Sequence, residues 1–142
     1  MMRRTTALIS VCFCAGLIAA IFSSSFAWIC SYYGLTEMAG VALQPSISIK
    51  ALYPHMIWGG LWGLCYAFTV AHIRTRKRWI RKGILISILP TMYQLLVVFP
   101  YHTAHGTLGI QLGTLTPLFV LCFNLVWGTF TGIFTRLLWG KS

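Results

Sequence analysis

Four long apolar stretches, at about residues 5–29, 51–73, 83–101 and 115–138, set the pattern of this 142-residue chain. A helix needs about 20 mainly apolar residues to cross a hydrocarbon core of about 30 Å, and each stretch meets or approaches that length. The pattern predicts an all-α membrane protein, a single domain built as a four-transmembrane-helix bundle. Trp28, Tyr32, Tyr33, Tyr53, Trp79, Tyr101 and Trp139 lie near the predicted span ends, where amphipathic rings settle at the head-group level. A cleaved signal peptide is the competing reading of the first stretch. Arg3 and Arg4 make a basic start, and Ser25-Phe26-Ala27 has a small-x-small pattern. The apolar core from Ala7 to Phe22 is long for a signal, which favours a retained span.

Two connections should lie on one side. In residues 30–50, Leu35, Met38, Val41 and Ala42 recur at helical spacing, which predicts a short helix along the membrane surface. Residues 102–114 are glycine-rich, and Thr116 before Pro117 predicts a cap and first turn for the fourth helix.

Charge then gives the orientation. Of eleven Lys and Arg residues, all but Lys50 fall on the other side in this reading. Arg3 and Arg4 precede the first span. Arg74, Arg76, Lys77, Arg78, Arg81 and Lys82 crowd the second connection, and Arg136 and Lys141 close the fourth span. Short loops rich in Lys and Arg stay cytoplasmic. The expectation is N-in/C-in, multi-pass, in a bacterial inner membrane.

Composition excludes an ordinary soluble domain, since 8% of residues are charged against about 25% in such domains. The net charge of +10 sits in short patches between apolar stretches, which does not suit nucleic acid. The patch from Arg74 to Lys82 suits anionic lipid head groups, at roughly 1 kcal/mol per basic residue near the surface. Cys12, Cys14, Cys30, Cys65 and Cys122 lie mostly within apolar stretches and read as small apolar residues. Their spacing makes no disulfide framework.

Small residues recur every four positions on three of the helices. They are Cys12, Gly16, Ala20 and Ser24; Gly59, Gly63, Ala67 and Ala71; and Asn124, Gly128 and Gly132. Positions four apart share a helix face, and small side chains let neighbouring backbones approach. Gly16, Gly59, Gly63, Gly128 and Gly132 are therefore the expected packing residues, within the bundle or in a homo-oligomer. Trp58 and Trp62 stack on one face of the second helix beside Gly59 and Gly63, and Trp127, Gly128 and Gly132 repeat the W-G-x-x-x-G spacing.

The tract Trp58-Gly59-Gly60-Leu61-Trp62-Gly63 resembles a group of small, uncharacterised bacterial inner-membrane proteins that carry a W-G-G-x-W-G segment. The likeness extends to the proline in the third span and to the Asn and W-G of the fourth. It implies no activity.

Chemistry-bearing residues are few. Gln94 and Asn124 are the strongest polar groups inside the spans. Depth along antiparallel helices puts them level, so they should form a pair across the third and fourth helices. His55, His102 and His105 gather on the side opposite the basic patches, and imidazoles can bind zinc, copper or haem. Interfacial histidines bonded to water are the simpler account, and no cofactor is expected. Glu37 is the one carboxylate side chain, so neither a Ser-His-Asp triad nor a paired-carboxylate site can be assembled. A non-catalytic accessory, assembly or structural subunit with a membrane-protein partner is the first expectation. The alternatives are a small transporter or channel for a neutral or hydrophobic solute, and a metal- or haem-binding protein.

Overall fold

The computed structural model describes residues 2–41, 48–70, 78–102, 110 and 113–139, and helices account for nearly all of them. Helix α1 (Met2–Tyr32) is unbroken, and the short α2 (Leu35–Met38) follows it. Helix α3 spans Ile49–Val70. Then α4 (Trp79–Ile86), α5 (Ile88–Tyr93) and a π-helix (Gln94–His102) run on as three pieces of one rod, and α6 (Thr116–Trp139) completes the bundle. No strand occurs among the described residues.

Three segments are long and apolar enough to cross a membrane: Arg3–Tyr32, Trp79–Tyr101 and Thr116–Trp139. Helix α3 is comparable in length at 22 residues, but Lys50, Pro54, His55, Gly59, Gly60 and Gly63 replace aliphatic residues and dilute its hydropathy.

Helix boundaries differ from the apolar pattern in one respect that matters. The third rod begins at Trp79 rather than near Gly83, so Arg81 and Lys82 ride on its first turns. Long basic side chains can lie along apolar surface with their charge held at its edge. Lys82 does this: its Nζ donates to the carbonyl of Thr69 at 2.8 Å, near the end of α3.

Helix α1 is central, lying against α3 on one side and α6 on the other, while α4 packs on α6. Glycine ridges set the closest approaches. A Cβ on Gly63 would strike the carbonyl of Cys12, and one on Gly16 the carbonyl of Gly59. Across α4 and α6 the same relation holds, with Gly83 against the carbonyl of Gly128 and Gly128 against that of Gly83. Leu8, Cys12, Tyr66, Ala67 and Val70 form a buried cluster capped by Trp79 and Trp139. That cluster gathers the start of α1, the end of α3, the start of α4 and the end of α6. The segments bearing Arg3, Arg4, Arg78, Arg81, Lys82 and Arg136 therefore share one end, here the basic end. Tyr32, Tyr33, Tyr53 and Tyr101 lie exposed toward the far end.

The third rod breaks at Ser87, between α4 and α5. Pro90 has no N–H to offer the carbonyl of Ile86, so the α-helical ladder is interrupted one turn before the ring. The π-helix begins four residues later and contains Pro100.

The far-end connections also depart from expectation. Helix α2 covers only Leu35–Met38, with Leu35 and Met38 exposed and Val41 buried beyond it; Ala42 lies outside the described residues. Gly113, at φ +150°, sits against the carbonyl of Gly40 and 3.0 Å from the Val41 Cα by its would-be Cβ, which brings the two connections together. Thr116 is not a cap. It is the first residue of α6, and its buried hydroxyl finds no partner among the described residues.

Candidate functional site

Near the basic end α3 and the third rod are clasped. The Tyr66 hydroxyl donates to the carbonyl of Trp79 at 2.9 Å, beside the Lys82–Thr69 bond. Beyond α4 the two backbones part. The wedge between them, floored by α1 and α6, holds a cavity of about 420 Å³ in the far half of the bundle. Ligand pockets typically measure about 300–1,000 Å³ and combine apolar walls with a few placed polar groups.

The walls follow from helix faces. Gly59 and Gly63 point α3 at α1, which leaves Trp58 and Trp62, one residue before each glycine, turned toward the third rod. Both indoles meet Tyr93: Trp58 at 5.6 Å between ring centroids, and Trp62 at 5.9 Å edge to face. Trp127 of α6 forms part of the floor, its Nε1 donating to the carbonyl of Gly16 at 3.2 Å. Ser23 contributes from α1, with its hydroxyl donating to the carbonyl of Phe123 at 2.7 Å.

Gln94 and Asn124 meet within this lining. The Asn124 Nδ2 donates to Gln94 Oε1 at 3.4 Å and to the carbonyl of Val120 at 2.9 Å. A backbone carbonyl can only accept, so the Asn124 atom facing Val120 is its nitrogen, and the Gln94 atom facing that nitrogen is its oxygen. Both Asn124 N–H groups are then used. The Gln94 Nε2, with two donors, and the Asn124 Oδ1, an acceptor, make no hydrogen bond among the described residues. Neither atom is fully buried. No Lys, Arg, Asp or Glu lies among the described residues of the lining.

The other expected site residues divide. His55 is exposed at the rim of the cavity. His102 ends the π-helix, but its side chain and all of His105 lie outside the described residues, as do His72 and Arg74, Arg76 and Lys77. No group of three His, Cys, Asp or Glu is placed to hold a metal ion among the described residues. All five cysteines are free, with Cys12 and Cys30 buried. At the basic end a shallow pocket of about 170 Å³ is lined by Arg78, Trp79, Ile80, Arg81 and Arg136.

Tyr93 and Gly83 are the residues that sequence reasoning passed over. Gly83, Ser87 and Thr91 recur at four-residue spacing and are all buried, so the small-residue rhythm was present on the third rod as well. Nothing in the local sequence marks Tyr93 as the ring that both indoles would share. No protein-family model, curated protein or solved structure matches this chain.

Proposed function

We propose that this chain is a multi-pass protein of a bacterial inner membrane that holds a neutral or hydrophobic solute in the cleft between α3 and the third rod, as a small transporter, channel or binding protein without catalytic chemistry. In this reading α3 is a fourth span. Its 22 residues extend about 33 Å at 1.5 Å per residue, enough for a core of about 30 Å. Both termini face the cytoplasm, because the basic end bears Arg3, Arg4, Arg78, Arg81 and Arg136. Arg78, Arg81 and Arg136 around the shallow pocket suit anionic head groups.

The observation that carries the function is that Gln94 and Asn124, both lining the cavity, spend only part of their hydrogen-bonding capacity on each other and on Val120. An unsatisfied amide in hydrocarbon is costly, so a purely structural subunit would close such a pair within the bundle. The accessory-subunit reading accounts for the lack of catalytic groups but not for this opening.

Cysteine reactivity tests the proposal. In a variant with the five native cysteines replaced by alanine, Val98→Cys should react with N-ethylmaleimide at least about tenfold faster than Leu96→Cys, because a thiol must ionise in a polar setting to react. Val98 lines the cavity and Leu96 faces outward. Equal, slow reaction at both positions would mean a dry, closed bundle and return the accessory reading to first place.

A further inference from the structure

Resting on that reading, we infer that the cleft takes a neutral, lipid-soluble molecule with a flat conjugated head that carries oxygen substituents, the chemical class of membrane quinones and their quinols. Four observations select this class.

Charge comes first. The described lining contains no Lys, Arg, Asp or Glu, and its imidazole, that of His55, stands exposed at the rim, so an ion deep in the cleft would leave water with no counter-charge in a low-dielectric setting. A cationic amphiphile and an anionic head group are both poorly served. The pocket bearing Arg78, Arg81 and Arg136 lies at the opposite end of the bundle.

Shape is second. Trp58, Trp62 and Tyr93 present ring faces and edges around one space, and their mutual tilts of 33° and 62° leave the three rings non-parallel. Aromatic pairs gain from offset or edge-to-face arrangement beyond their buried area. A flat head is served by such walls better than a saturated chain is.

Third is the hydrogen-bonding edge. Gln94 Nε2 can donate to a carbonyl oxygen, and Oδ1 of its partner Asn124 can accept from a hydroxyl. One site therefore satisfies a ring that bears carbonyls and the reduced ring that bears hydroxyls. A plain acyl chain would leave both amide atoms unpaired, at the cost of their desolvation.

Access is the fourth. The backbones of α3 and the third rod meet at α4 and diverge beyond it. Trp58, at 49% exposure, stands at the mouth on the outer surface of the bundle. A molecule dissolved in the bilayer enters sideways through that mouth without crossing the polar surface.

The test uses the full chain in lipid nanodiscs and an azido-benzoquinone with a decyl tail as photolabel, with the labelled peptides mapped by mass spectrometry. Expected labelling falls on α3 around Trp58 and on the third rod around Tyr93. Decyl-benzoquinone should compete at least about tenfold better than decylcyclohexane, which has the same tail but neither a flat head nor oxygens. Gln94→Leu should weaken labelling roughly five- to tenfold, the scale of one lost polar contact in a buried site. Val98→Trp, which fills the space and leaves both amides in place, should abolish it and guards against a folding defect in the first variant. Equal competition by the quinone and by decylcyclohexane would overturn the assignment of class. Labelling outside the cleft, unmoved by Val98→Trp, would overturn it as well. In either event the reactivity of Val98→Cys shows separately whether the cleft itself stands.

Discussion

The indole nitrogen of Trp127 donates to the carbonyl oxygen of Gly16, 3.2 Å away and 111 positions earlier in the chain. Gly16 is also the residue whose missing Cβ admits the Gly59 carbonyl, and a Cβ on Gly59 would lie 3.1 Å from the same indole nitrogen. One side chain of α6 therefore reaches the seam where α1 and α3 touch, and holds three helices at a single level. Ala19 and Ala20 pack against its ring, with Trp62, Ile86 and Phe130 around them.

Trp127→Phe should lower stability by about 1–2 kcal/mol, combining a hydrogen bond of about 0.6 kcal/mol with the loss of part of a buried ring. Trp127→Ala should cost about 3–5 kcal/mol. Unfolding in mixed detergent micelles would read both. A Phe variant as stable as the parent would show that the bond contributes nothing.

Gly63→Ala and Gly83→Ala each direct a methyl group at a backbone carbonyl on the facing helix, that of Cys12 and that of Gly128. Backbone cannot turn aside, so each should cost about 1–3 kcal/mol. At Gly60 the obstacle is the Phe13 ring, 2.7 Å from the added carbon, and a side chain can rotate. Gly60→Ala should be the mildest of the three in the same unfolding assay. The reverse order would mean that these glycines do not set the helix spacing.

For Gln94 and Asn124, a double-mutant cycle with leucine at each position should give a coupling near the membrane average, about 0.6 kcal/mol. The 3.4 Å separation and the second bond from Asn124 to Val120 both argue for a weak pair. A coupling above about 2 kcal/mol would describe a sealed pair and contradict an amide edge open to the cleft.

Topology reporters should place the tail after Ser142 and the connection containing Arg76 in the cytoplasm, and the connection containing Gly106 outside. Enzyme fusions or impermeant thiol labels at these three positions would measure it. An external signal near Arg76 would invert the proposed orientation and move the cleft to the cytoplasmic half of the membrane.

Much of the packing was legible because it depends on rhythm. Four-residue spacing of Cys12, Gly16 and Ala20, or of Gly128 and Gly132, is written locally and survives whatever the neighbours do. Helical depth likewise brought Gln94 level with Asn124, since rise per residue is fixed. The cleft was not legible, because it exists only through the angle between two helices. That angle follows from where α3 is tied, at Tyr66 and Thr69, and where it is left apart, and both ties use backbone carbonyls as acceptors. Carbonyls are present at every position, so no residue type announces them. The π-helix escaped for a related reason: Leu95, Leu96, Val97 and Val98 read as an ordinary apolar run, and the change of pitch is set by tertiary context.

Geometrically, the interruption at Ser87 divides the third rod into two arms. Its short arm, α4, is bedded against α6 through Gly83, Gly128 and Gly132, and its long arm runs from Ile88 to His102 beside the cleft. That arm is roughly 20 Å long at about 1.5 Å per residue. A difference of about 10° in the angle between the arms would therefore place its tip about 3.5 Å away, about the contact distance of two carbon atoms. A difference in angle this small would alter the width of the mouth by the thickness of one flat ring, so the seating of Leu95 and Phe99 against Val120 of α6 sets the width of the cleft.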